Sequence, residues 1–209
     1  MLKPLAPWSL TLPVLFAVAT TLGLSYWQMT RGFDKLEMRA AYEAALAGAP
    51  IVDAVSDEVD DFRRVRLNGH YDGEMSFLVG NRRSAGRPGY WVLTRFVTSY
   101  GAFLVNRGWV SSGPTLHSIP AFETPSGSHT LDGVVWPSKP VSALTRNETW
   151  AESWPVRVRG LDVDRMTERV GAFGREVRLT GGSGGLFEPA PLHVDYDSAM
   201  HWGYAFQWL

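Results

Sequence analysis

Residues Trp8 to Trp27, WSLTLPVLFAVATTLGLSYW, run for 20 positions without a charged side chain. A helix needs about 20 apolar residues to cross ~30 Å of hydrocarbon, so this run confines the chain to proteins that work at a bilayer. It exceeds the core of ~7–15 residues usual in a secretory signal. No small-x-small cleavage site precedes a polar start. The run therefore predicts a retained transmembrane helix at residues 8–28, behind a short cytoplasmic N-terminus at residues 1–7. Met200 to Leu209 (MHWGYAFQWL) opens a second uncharged stretch. It reads as the truncated start of transmembrane helix 2, residues 199–209, about half the length a span requires. Residues 29–198 have ordinary polar and charged content.

The totals narrow the classes. A net charge of −1 over 209 residues argues against a nucleic-acid partner, which needs a concentrated basic surface. The absence of cysteine excludes disulfides, thiolate nucleophiles and cysteine metal sites. Several of the nine tryptophans lie near the apolar ends, where indole rings favour the membrane interface. Lys3 lies before the first apolar run, and Arg31, Lys35 and Arg39 follow it. By charge count alone the main domain would be cytoplasmic, but long domains translocate regardless of such a count.

Beyond the apolar run, Phe33, Leu36, Ala40, Ala44 and Ala47 recur at three- and four-residue steps, predicting that the helix continues to about Gly48. From Arg63 the period becomes two. Val65, Leu67 and Tyr71 alternate with Arg64, Arg66 and Asn68, and Asp72-Gly73 signals a turn before Phe77 to Val79. Tyr90 to Val97, Ala102 to Val110, Leu131 to Trp136 and Glu176 to Leu179 are further strands. Leu161 to Val170 is a short helix with Asp162 and Asp164 in its first turn. Short strands at this spacing predict an α+β domain whose body is an antiparallel sheet or small barrel. Gly181 to Gly185 reads as a flexible tether leading back to the membrane.

Five stretches together resemble the Surfeit-locus family of cytochrome c oxidase assembly factors: Trp27-Gln28-Met29-Thr30-Arg31 with Lys35; Phe62 to Tyr71; Asn81-Arg82 through Gly89 to Thr94; Leu104 to Val110; and His201 to Trp208. Ser25 stands where a glycine is common in the family, and Arg95-Phe96 where Pro-Leu is usual. The resemblance implies two transmembrane helices with the intervening domain outside the cytoplasm, here at a bacterial inner membrane facing the periplasm. It implies transient binding of haem a and its insertion into cytochrome c oxidase subunit I. Subunit I, haem a synthase and the lipid bilayer are then the expected partners.

His201 is the strongest candidate ligand. Imidazole is a common protein ligand of haem iron, and an ionisable residue in an apolar membrane-facing segment is costly. The resemblance assigns this position to haem. On a helix His201, Tyr204, Ala205 and Trp208 share a face, with Ala205 as a small gap for a macrocycle. The bland alternative is an interfacial histidine bonded to a carbonyl or headgroup. Trp27 and Gln28 lie at the exit of the first helix, where Gln28, Arg31 and Lys35 share a face. The cations there suit haem propionates or, more ordinarily, lipid phosphates. Asn106, Arg107 and Trp109 form either a structural corner or a docking surface for an oxidase subunit, and Arg82, in Asn81-Arg82-Arg83, belongs either to a basic turn or to a second partner contact.

His193-x-Asp195-x-Asp197 lacks a third nearby histidine, and His70, His117 and His129 have no ligand spacing. Neither a Gly-x-Ser-x-Gly elbow nor a His-Glu-x-x-His pair occurs, so the chain is read as a non-enzyme. Two functions remain: a haem a carrier for oxidase assembly, and a cofactor-free chaperone of nascent subunit I.

Overall fold

A computed structural model of the chain describes residues 8–52, 59–113, 119–193 and 198–209. The chain divides into two units, one made of residues 1–44 with 193–209 and the other of residues 45–192.

The second unit is built on one long strand. β1 (Ile51–Val52) and β2 (Arg64–Ser84) are followed by β3 (Arg87–Thr98), β4 (Gly101–Ser111) and β5 (Ser128–Trp136). Helix α2 (Ala143–Arg146), β6 (Val156–Val158), helix α3 (Val163–Val170) and β7 (Glu176–Leu179) complete it. Neighbours run β2-β3-β4-β7-β5, and the first half of β2 pairs again with β5 from Arg64↔Val134 to His70↔Ser128. Those five strands therefore close into a ring. Closure leaves their mutual edges paired, which removes the exposed backbone donors of an open sheet.

Alternation then sorts side chains into two cores. Val65, Leu67, Tyr71, Phe96, Phe103, Val105, Leu131, Val135, Val177 and Leu179, drawn from all five strands, fill the interior. Phe77, Val79, Leu93 and Leu104 pack on the other face with Trp150, Val156, Val158, Met166 and Val170. Helix α3 supplies Val163, Met166, Thr167 and Val170 at helical spacing. The Asp162 carboxylate accepts the Arg165 N–H at its start, and Gly171, at φ 58°, ends it.

Three expectations need correction. The sheet is mixed: β1–β2, β2–β6 and β4–β7 are parallel. β7 reaches β4 only after β5, α2, β6 and α3, a connection long enough for a crossover. Asp72-Gly73 makes a bulge between Asp72 and Ser76 rather than a turn, because β2 pairs with β3 on both sides of it. The glycine run at 181–185 is pinned to the domain. Gly184 accepts the Tyr71 hydroxyl at 2.7 Å, Gly185 accepts Arg107 Nε at 2.9 Å, and Ser183 Oγ bonds Asp132 at 2.9 Å.

The first unit holds helix α1 (Trp8–Ala47, 40 residues, its last turn in the other unit) and helix α4 (Ala199–Gln207). α1 is long and apolar enough to cross a membrane. It runs on without a break to Ala47, as the helical stripe ending near Gly48 predicts. α4 forms where the second apolar stretch was expected; its nine residues are about half a span.

Candidate functional site

As α1 advances from Ser25 to Gly32, its partners on α4 recede from Ala205 to His201 and Trp202, so the two helices run antiparallel. Ser25, Gln28 and Gly32 are spaced for one helix face. Ser25 Oγ donates to the Ala205 carbonyl at 2.8 Å, and both residues are buried. A methyl group on Gly32 would lie 2.9 Å from Trp202 Cε2, so only glycine admits the indole. Phe33 meets the same indole edge-on at 4.9 Å.

Between these contacts sits the pair that matters chemically. His201 Nδ1 lies 2.9 Å from Gln28 Oε1. An amide oxygen only accepts, so Nδ1 carries the proton and the neutral ring's electron pair resides on Nε2. This is the arrangement of a metal-ligating histidine oriented through its other nitrogen. The imidazole is half-buried, and an iron-bound macrocycle is a group its donor chemistry fits.

Other residues of the expected site are placed differently. Arg31 is exposed, 3.7 Å from Asp34 and 5.9 Å from the Trp27 ring. It thus forms a surface pair, and of the Gln28, Arg31, Lys35 face it is Gln28 that makes the hydrogen bond to His201. Trp27 and Tyr204 are exposed. Ala205 is not a gap: Ser25 closes over it. Trp202 and Gly32, absent from the candidates read off the sequence, hold the helices together; a glycine four residues past Gln28, matched to a tryptophan beside His201, is the signal that could have found them. His193 lies inside the described residues, but Asp195 and Asp197 do not, and neither does His117. Among the described residues no three His, Asp or Glu side chains cluster as a metal site.

Asn106, Arg107 and Trp109 form a corner inside the barrel unit, the structural one of the two readings of this stretch. Asn106 Nδ2 donates to Glu176 at 2.6 Å while its oxygen accepts the Gly108 N–H at 2.9 Å. Gly108 has φ 100°, and a Cβ there would lie 2.2 Å from the Glu188 carbonyl oxygen. Trp109 is buried, and its backbone N–H donates to that same carbonyl at 2.7 Å.

Arg107 is fully buried. Its guanidinium donates to Gly185 O at 2.9 Å, Thr124 Oγ1 at 2.8 Å and the Glu123 carbonyl, and lies over the Tyr71 and Phe187 rings. These three acceptors are all neutral. Burial pushes its pKa down to about 10, and pushes the Tyr71 phenol up to about 12, partly offset by the Arg107 charge. Arg82, the remaining partner candidate, is half-buried and stacks on Trp91 at 4.0 Å.

An apolar helix pair centred on an oriented histidine, with a small closed barrel as a separate unit, defines the class to which the chain belongs. The model of the SURF1 family matches residues 15–209, so the chain is a member of that family. It is 27% identical over 210 residues to a SURF1-like protein of Rickettsia bellii, covering 96% of this chain and 84% of that one. A SURF1-like protein of Rickettsia felis is 29% identical over 147 residues, 68% of this chain and 64% of the relative. The yeast cytochrome oxidase assembly protein SHY1 is 33% identical over 95 residues, 42% of this chain and 24% of the yeast protein.

Proposed function

We propose that this protein is a membrane-anchored assembly factor for haem-copper cytochrome c oxidase that holds haem a transiently on the way to subunit I. Family membership and the name of the yeast relative support the oxidase-assembly part. The length and composition of α1 support a membrane anchor. The Gln28–His201 hydrogen bond carries the haem part. Haem a would supply an iron able to take a nitrogen ligand. His201 Nε2 is the nitrogen offered, and Gln28 keeps the ring in the required tautomer. Tyr204 and Trp27 offer exposed aromatic surface in the same helix pair. Arg31 would contribute a cation only by sharing it with Asp34. A single protein ligand suits release better than a doubly ligated store. Subunit I, haem a synthase and the bilayer are the proposed partners, with the barrel domain on the periplasmic side. The role is binding and hand-over, without turnover.

The test is to express the full chain with a source of haem a, purify it in detergent and record visible spectra of wild type and His201→Ala. A haem band present in wild type and lost in the variant is the expected result. Wild type free of haem at every supply level would sink the carrier, leaving the cofactor-free chaperone of subunit I.

A further inference from the structure

At the end of the β2–β3 hairpin the register shifts between Val79 and Arg82. Asn81 there takes a positive φ of 56°, and its side chain donates to the Arg159 carbonyl at 3.3 Å. A bulge of this kind re-aims the residues that follow it. The parallel strand β6 runs beside Phe77 to Val79, which brings Arg157 and Arg159 to the same end as Arg82 and Arg83. The four arginines line one open cleft of about 570 Å³, with Asn81 and Tyr90 in its wall. That volume is in the range of small-molecule sites.

Charge in the cleft is unbalanced. Glu148 is the single acidic residue in its lining; its carboxylate accepts the Arg159 backbone N–H at 2.9 and 3.2 Å and lies 3.7 Å from the Arg159 guanidinium, which leaves three cations against no further anion in the lining. Arg82 is the fixed element. It borders this cleft and a neighbouring one lined by Trp91, Trp136 and Arg178; its guanidinium is stacked on Trp91, and among the described residues its buried Nε has no hydrogen-bond partner. Glu176, whose charge acts on it, is engaged by Asn106 and by Arg178 at 3.1 Å. Burial presses the Arg82 pKa down, opposed by the Glu176 charge and assisted by that of Arg178. A stacked guanidinium short of acceptors, among three further guanidiniums, is the donor set that takes tetrahedral anions in bidentate fashion.

We propose that this cleft binds a phosphate-bearing ligand. Phosphate is favoured over a lone carboxylate because a monoester brings close to two negative charges and three acceptor oxygens, against a lining of four cations and one anion. The phosphate comes either from a soluble metabolite or from a lipid headgroup. The cleft shares no residue with the His201 site, and its failure would leave the oxidase-assembly reading untouched.

The experiment is calorimetric titration of the full chain in an uncharged maltoside detergent at low salt. Pyrophosphate and dihexanoylphosphatidic acid are the two probes, with an acidic hexaglutamate peptide as a third arm. Saturable binding of either phosphate probe, weakening with salt, is expected; pyrophosphate alone points to a metabolite and phosphatidic acid alone to a headgroup. The paired variant Arg83→Gln/Arg159→Gln changes exposed side chains. It should keep the urea midpoint while binding falls about tenfold for each guanidinium removed. Arg82→Lys, which keeps the charge and loses the fork, should also bind more weakly. Absence of saturation by both phosphate probes, affinity unchanged in the paired variant, or binding of the peptide alone would each overturn the proposal.

Discussion

Replacing Arg107 with methionine tests whether the barrel corner is held by a hydrogen-bonding fork or merely tolerates a buried charge. The side chain donates to three neutral acceptors, on Gly185, Thr124 and Glu123. Bonds from a charged donor contribute roughly 1.5–3 kcal/mol each, about 4–9 kcal/mol in all. Against this stands the cost of keeping the cation in the interior. A pKa lowered from 12.5 to about 10 corresponds to about 3 kcal/mol at ~1.4 kcal/mol per pKa unit. Methionine restores the apolar stem and removes that cost, so the net loss is about 1–6 kcal/mol, at its upper end a large part of the ~5–15 kcal/mol that holds a typical domain. Arg107→Lys should be worse than Arg107→Met. It retains the charge, but a compact ammonium cannot span three acceptors set for a planar fork. Urea unfolding of the full chain in detergent, followed by tryptophan fluorescence, gives the order wild type, Met, Lys. A lysine variant more stable than the methionine one would show that charge, not geometry, holds the corner.

The other perturbations are simpler. Gln28→Leu frees the imidazole tautomer and should weaken haem affinity by about 10–100-fold while His201 remains; a spectral titration matching wild type would remove the orienting role. In the difference between wild type and Tyr71→Phe, the ultraviolet phenolate band should rise with a midpoint near 12. Because the folded pKa lies above that of a free phenol, this group's contribution to stability is complete below about pH 10 and disappears as pH rises through 12. A midpoint at about 10 would mean the phenol is solvated. Gly108→Ala forces a Cβ against the Glu188 carbonyl at positive φ and should cost about 2–6 kcal/mol, read as a lower urea midpoint.

How far the fold was legible follows from the range of each signal. Alternation settled the face of the first part of β2, where Val65, Leu67 and Tyr71 point inward, because inward and outward residues of one strand are decided locally, by burial; β4, buried along nearly its whole length, has no such alternation to read. Asp162 and Gly171 bracket α3 for the same reason: caps are written within a turn of the helix they end. Closure of the ring was not written that way. It depends on Arg64 to His70 meeting residues 128–134, a pairing no local pattern encodes. The Asp72-Gly73 signal lost to two flanking runs of β2–β3 pairing. The glycine run departs from its local reading for a similar cause, since Tyr71 and Arg107, far away in sequence, supply the donors that fix its carbonyls.

The two halves of the candidate site show where residue type alone stops being informative. His201 and Arg107 both drew attention as functional side chains in aromatic surroundings. What separates them is the partner each is given. Gln28 occupies one imidazole nitrogen and leaves the other able to donate an electron pair outward. Arg107 is surrounded by acceptors on its own unit, so its donors are spent on the corner. Spacing placed Gln28, Arg31 and Lys35 on one helical face, but a face is wide, and Gly32 selects which part of it α4 can reach. The indole of Trp202 fits only over a missing side chain, and that fit sets the helix register at which residue 28 meets residue 201. A haem-binding role for the pair thus depends on a glycine that touches neither residue, and Gly32→Val should loosen the Gln28–His201 contact without changing either partner.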